Sequence, residues 1–223
     1  DVRHYTAERM EGTTARQRVP DDVFLDLPFP RFSEGDQIAI ADALERIHKG
    51  LALCVGHERV LRGLKAVTLR ELFTRGLRGE PQKETEIGSV PQSWRIVRLG
   101  TLGRIGNGTT PNRRHAAYWE GGTTPWITSG RMYERHIAGA DVCVTSAALR
   151  EYSLPLLRPG AVLIAIVGQG KTLGHCAVLD VEATISRHVG FVQPDESVVR
   201  SGFLRAFLES RYEHLRQLAS GNG

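Results

Sequence analysis

Between Ser33 and Gly76 the chain reads as one long helix. Apolar residues recur at threes and fours through Ile40, Leu44, Ile47, Leu51 and Cys54, then through Leu61, Leu64, Thr68 and Leu72. Ser33 can cap the start, with Asp36 at the third helical position of a capping-box-like pair. Gly76 supplies a left-handed stop, and Pro81 follows. A helix of about 42 residues rising about 1.5 Å each is roughly 63 Å long, far beyond the ordinary globular helix. The seam Ile40, Leu44, Ile47, Leu51, Leu61, Leu64, Leu72 is narrow, and a narrow apolar seam on a long rod asks for another helix. The plainer alternative is a helix lying across its own domain. Gly50, Gly56 and Gly63 each cost roughly 1 kcal/mol against alanine, and Glu58 and Lys65 interrupt the seam. Packing must therefore supply most of the rod's stability.

Around the rod the composition changes. Residues 1–32 hold a possible helix at Val2–Met10, a basic loop at Gly12–Arg18, and a strand-like run Val23–Pro30 whose prolines confine it to a sheet edge. This segment is too short to bury a core and reads as the tail of a domain. Residues 77–93 are rich in glycine, proline and charge and read as a linker. From Trp94 the period becomes two, with Trp94, Ile96, Val97 and Leu99 opening a second domain over 94–223. Pro125–Thr128, Ala161–Val167, Cys176–Leu179 and Val189–Val192 are strand candidates, and Val198–Leu218 is helical with Phe203, Phe207 and Leu208 on its apolar side. The fold class is α+β: a long coiled-coil-type spacer helix beside a mixed α/β domain. The absence of an initial Met and the Ser220–Gly223 ending suggest that both ends are cut.

The net charge is +4 and the isoelectric point about 9.2, a mild preference for a polyanion. Three scattered cysteines suit a reducing cytoplasm. No apolar run is long enough for a transmembrane helix, and no signal peptide is visible. Ala165–Thr172 reads A-I-V-G-Q-G-K-T, close to a phosphate loop, but Ala165 replaces the first glycine and a strand follows where a helix is needed. An ATP-binding protein is therefore a minor alternative, and a hairpin presenting Gln169 and Lys171 is the better reading. No metal-ligand spacing, nucleophile elbow or dinucleotide fingerprint appears, so no cofactor and no metal are expected. Residues 91–200 hold 12 Lys and Arg against 8 Asp and Glu, with many loop Thr, Ser, Asn and Gln. These types read base edges and hold phosphates, although a merely solvated basic face would look the same.

Several motifs occur together and in order. Leu72–Gly79, Lys83–Gly88 and Pro91–Trp94 are followed by Gly108–Pro111, Tyr118–Gly122, Pro125–Gly130 and Leu156–Thr172. In this they resemble the specificity subunits of type I restriction–modification systems, at the junction between the central conserved helix and the second target-recognition domain. The Thr184–His188 run departs from the usual pattern, in which Asn and Gln follow the Thr. The resemblance implies that residues 1–32 end a first recognition domain and 33–76 form the conserved spacer helix, with a second recognition domain following. It implies a non-catalytic, sequence-specific reader of double-stranded DNA. Its partners would be modification (methyltransferase) subunits and a restriction or motor subunit. The implied DNA contacts are Thr109, Thr110, Arg113, Arg114, Thr128, Ser129, Arg131, Gln169, Lys171, Thr172 and Arg187. A different class, a helix-mediated oligomerisation module without DNA binding, stands beside it. On either reading the chain by itself should self-associate through the rod.

Overall fold

A computed structural model describes residues 20–167 and 172–219. The expected helix Val2–Met10 and the basic loop after it lie outside the described residues, as do Gln169 and Lys171. Two compact units divide the chain, 1–60 and 61–223.

In the first unit, α1 spans Asp21–Leu25. This corrects the strand expected over Val23–Pro30. Asp21 and Asp22 sit in the first turn, where acidic side chains suit the helix N-terminus, while Pro28 and Pro30 lack the N–H groups a ladder would need. The long helix α2, Glu34–Arg75, begins in this unit and continues into the second. Its start is capped as the sequence predicts: the Asp36 N–H donates to Ser33 Oγ at 3.1 Å, and Ser33 Oγ–H donates to the Asp36 carboxylate at 2.7 Å. Its end is also as expected. Gly76 takes φ +66° and its N–H closes on Leu72 O at 3.1 Å. A side chain there would meet Pro91 Cγ at 3.0 Å as well as straining the backbone. From Glu34 to Thr68 every residue of α2 is exposed. Ile38, Leu53, Val55, Val60 and Val67 are as bare as the expected seam residues, so the apolar surface is broader than the seam.

In the second unit, the last turns of α2 are packed. Phe73 is 6% exposed and stacks edge-on against Phe203 and Phe207, centroids 5.4 Å away in each case. The expected linker 77–93 contains an antiparallel hairpin, β1 Gln82–Thr85 with β2 Gly88–Pro91. Val90 is buried within it, and Glu80 holds Ser93 through both its N–H and its hydroxyl. Glycine and charge here mark a tight turn rather than slack chain. Trp94–Leu99 is not the opening strand the sequence suggests. A short 3-10 turn at Leu99–Thr101 precedes β3, Gly103–Asn107.

The body of the second unit has two sheets. The first to appear along the chain are β4 Thr124–Ile127, β5 His136–Ile137, β6 Cys143–Val144 and the short helix α3 Ser146–Glu151. Then come β7 Val162–Ala165, β8 Cys176–Leu179, β9 Thr184–Ile185 and β10 Val189–Pro194. The larger sheet has the order β3-β10-β7-β8-β5 and the smaller β6-β4-β9. The β5–β8 and β4–β9 pairs are parallel and the other pairs antiparallel. Strands β7, β8 and β10 are covered on both faces. Ile127, Met132, Leu163, Leu179, Ile185 and Phe191 fill one layer, and Val162, Cys176, Val192, Leu204 and Leu208 fill the other. That is why they read as continuous apolar runs rather than alternating ones.

The expected C-terminal helix is two helices, α4 Ser201–Ser210 and α5 Tyr212–Ala219, broken at Arg211. Its buried side is Ser201, Leu204, Arg205 and Leu208, with Phe203 about half exposed. Arg205, 5% exposed, is held by Glu209 at 2.9 Å, and Glu209 also receives Lys65 from α2. Burial pushes the Glu209 carboxyl upward, but the Lys65 and Arg205 cations outweigh it and hold the group below its ordinary range. No helix among the described residues is long and apolar enough to cross a membrane.

Candidate nucleic-acid interface

Strand register decides where the loops go. Asn107 at the end of β3 lies beside Gly190, and Val189 at the start of β10 lies beside Ala165 at the end of β7. β4 runs parallel to β9, so Thr128 and Ser186 leave the smaller sheet together. Four stretches therefore emerge at one end: 108–115, 128–133, 166–167 with 172–175, and 186–188. Backbone bonds tie them to one another. Gly108 N–H donates to Val189 O at 3.1 Å, Ile166 N–H to His188 O at 3.0 Å, and Ser186 N–H to Ile127 O at 2.9 Å. Arg187 N–H reaches Thr110 Oγ1 at 3.4 Å. Thr109, Thr110, Arg113, Arg114, Thr128, Ser129, Thr172 and Arg187 are thus gathered from four stretches of sequence. The phosphate-loop-like run lies in the sequence between antiparallel β7 and β8, and the next described element after it is a strand rather than a helix.

Gly108 makes the first loop possible. A Cβ there would lie 2.0 Å from Ile185 O and 2.5 Å from Ser186 O. Only a residue without a side chain lets the loop cross the end of β9. Beyond it, Trp126 Nε1–H donates to Thr109 O at 3.4 Å and Trp119 Nε1–H to Asn112 O at 3.0 Å. Asn112 N–H donates to the Tyr152 hydroxyl at 3.1 Å, and Asn112 Oδ1 accepts from Arg114 N–H at 3.0 Å. The two indoles stand nearly perpendicular, 5.2 Å apart. The Arg113 guanidinium sits in their corner, 4.4 Å from each ring centroid. Trp119, Trp126, Asn112 and Tyr152 hold the loop in place, and composition could not pick them out. The tryptophans were visible only as pieces of a motif.

The other candidates differ in how free they are. Arg131 sits in the 3-10 turn Ser129–Tyr133 and is paired with Glu134 and with Asp141, the latter at 3.1 Å. The Glu134 bond raises its already high pKa further. Its side chain is 27% exposed, so two carboxylates neutralise it in place. Arg187 is exposed and directs Nε–H at His188 Nε2, 3.2 Å away. Arg114 is exposed, and its side chain has no partner among the described residues. Thr184 Oγ1, in β9, and Ser186 Oγ, just past its end, are buried with no hydrogen-bond partner among the described residues. Among the described residues no group of three His, Cys, Asp or Glu could hold a metal. At the opposite end of the larger sheet lies a cleft of about 890 Å³ edged by Arg104, Arg158, Glu182 and Glu196. None of the expected contact residues lines it.

Residues 91–222 match the family model for the type I restriction modification DNA specificity domain. The type I restriction enzyme MjaIX specificity subunit of Methanocaldococcus jannaschii is 28% identical over 144 residues, 63% of this chain and 32% of that protein. The chain thus spans about a third of that relative's length. Two solved structures share the fold. The HsdS subunit from Thermoanaerobacter tengcongensis aligns with a TM-score of 0.51 and 24% identity, over 96% of this chain and 50% of that one. A chain from a structure of a type I R-M system, described for its complex assembly and conformational transition, aligns at 0.55 and 24%, over 94% and 49%. With the family model covering more than half of its residues, the chain belongs to the type I restriction modification DNA specificity family.

Proposed function

We propose that this chain reads one part of a DNA target for a type I restriction–modification complex. On this reading residues 94–223 are a target-recognition domain, 33–76 a spacer and 77–93 the joint between them. The observation that carries it is the convergence of four loops, bearing Thr109, Thr110, Arg114, Thr128, Ser129, Thr172 and Arg187, at one end of a rigid two-sheet scaffold. In the sequence Gln169 and Lys171 lie between β7 and β8. Hydroxyl and guanidinium groups on fixed loops suit base-edge and phosphate contacts. The chain performs no chemistry itself: methyl transfer and cleavage belong to partner subunits, and the protein works in the cytoplasm beside the genome.

Mapping methylated sites with the assembled complex tests this. Arg187→Ala or Gln169→Ala should change the modified sequence or weaken its recognition by about 1–3 kcal/mol at one position. An unchanged site and affinity for every such variant would sink the assignment. The exposed apolar surface of α2 favours a second reading, a helix-pairing module that contacts no DNA. Sedimentation with and without duplex at low salt separates the two, because only the reader shifts with DNA.

A further inference from the structure

Arg113 and Arg114 are adjacent, exposed and identical in charge, yet the structure gives them different surroundings. We infer that Arg113 is a positioning residue that fixes the shape of the 108–115 loop, and that Arg114 is the DNA contact of the pair. This deepens the reading just given and rests on it.

The loop is held at almost every residue. Gly108 is pinned to Val189, Thr109 by Trp126, Thr110 by the backbone of Arg187, and Asn112 by Trp119 and Tyr152. The two indole N–H groups fasten the loop's carbonyls, while the faces of the same rings receive the Arg113 guanidinium. Arg113 therefore closes a bracket: it lies over the rings that hold Thr109 and Asn112. Trp126, 3% exposed, sits below the loop. A planar, weakly hydrated guanidinium fits a corner of two perpendicular rings, and a compact ammonium does not. Arg114 follows an Asx-type turn made by Asn112 Oδ1, so its backbone direction is set while its side chain stays available. Thr109 and Thr110 are thus delivered to a ligand with their conformation fixed, which lowers the ordering cost of binding.

The two roles give different salt behaviour. A cation on a phosphate releases a counterion when DNA binds, and its removal lowers the salt slope by about one. A positioning residue leaves that slope alone and alters discrimination. The test uses the full-length protein assembled with its modification subunits and duplexes carrying the cognate or a single-mismatch half-site. Arg113→Ala should lose roughly tenfold in discrimination at the base pairs under the loop, within the range one misplaced base contact costs, with an unchanged salt slope. Arg113→Lys should rescue little. Arg114→Ala should weaken cognate and mismatched duplexes alike and reduce the slope by about one. Acrylamide quenching of tryptophan in the free protein should rise for Arg113→Ala and not for Arg114→Ala.

Equal loss on both duplexes for Arg113→Ala, with a reduced slope and full rescue by lysine, overturns the inference. So does quenching unchanged by the substitution. Should Arg113→Ala fail to assemble, Arg113→Gln, which keeps the length of the side chain, takes the same measurements. A wild-type complex that shows no sequence preference overturns the DNA-reading function itself, while the quenching comparison still reports separately whether the bracket exists.

Discussion

Glu209 is the hinge of a three-member charge cluster, and its removal should be costly in a recognisable way. Arg205 is nearly sealed from water, its side chain 6% exposed, and Glu209 is its charged partner at 2.9 Å. Glu209 is 31% exposed and also receives Lys65 of α2. Breaking a fully buried pair by deleting one partner costs about 3–5 kcal/mol, because the remaining charge is stranded. Partial exposure of Glu209 lets water repay some of this, so about 2–3 kcal/mol is expected for Glu209→Ala. For a domain of this size that lowers Tm by roughly 5–10 °C. The cost should depend on Arg205. In an Arg205→Met background no cation is stranded, and Glu209→Ala should then cost about 1 kcal/mol or less. Urea unfolding of the four proteins completes the cycle. The pH dependence adds a sign check. The folded-state pKa of Glu209 lies below its ordinary value, so its contribution is full above the unfolded pKa and is lost as pH falls through the folded one. The gap between wild type and Glu209→Ala should therefore narrow on acidification. Equal costs in both backgrounds, or a gap that widens toward acid, would refute the stranded-charge argument.

Other outcomes follow from single contacts. Gly108→Ala should displace the 108–115 loop, since the methyl would overlap Ile185 O; limited proteolysis should find new cleavage in that loop, while β7 and β8 keep their hydrogen-exchange protection. Burial raises the Cys176 thiol to about 12, whereas Cys54 is exposed; a thiol reagent near pH 8 should label Cys54 quickly and reach Cys176 only on unfolding. Gly50, Gly56 and Gly63 have open space where a Cβ would stand; alanine at each should raise the helicity of α2 by up to about 1 kcal/mol per site, read by circular dichroism. Lys or Glu at Leu44 and Leu51 together should shift a self-associated chain toward monomer in sedimentation, and unchanged mass would remove the seam from assembly.

How far the sequence could be read depended on how local the determining physics was. α2 was legible to the residue because caps and periodicity are local: Ser33, Asp36 and Gly76 act as their chemistry requires. β7 and β8 were legible because strands covered on both faces must be apolar throughout. The hairpin 82–91 was not, because Lys83, Glu84 and Glu86 look like solvated linker and only Val90 shows that one face is covered. The run Val23–Pro30 looked like a strand because its apolar content outweighed the two aspartates that start α1. At the candidate interface, Thr109, Arg113 and Arg187 could be singled out by type, but their convergence could not. It depends on the register of β10 against β3 and β7 and on the parallel pairing of β4 with β9. The pairing of Arg131 with Asp141, ten residues away, is likewise a property of the fold rather than of the arginine.

The bare length of α2 has a consequence for when recognition can happen. From Glu34 to Thr68 every residue of the helix is exposed, and three glycines weaken its propensity to stay wound. A rod of that kind is ordered chiefly by whatever buries its apolar side, so its folding and its pairing are one equilibrium that depends on concentration. On the proposed function, the distance between reading surfaces is then enforced by assembly. On that same proposal, a chain without its counterpart holds no fixed span and registers no divided target, and an incomplete complex does not mark DNA.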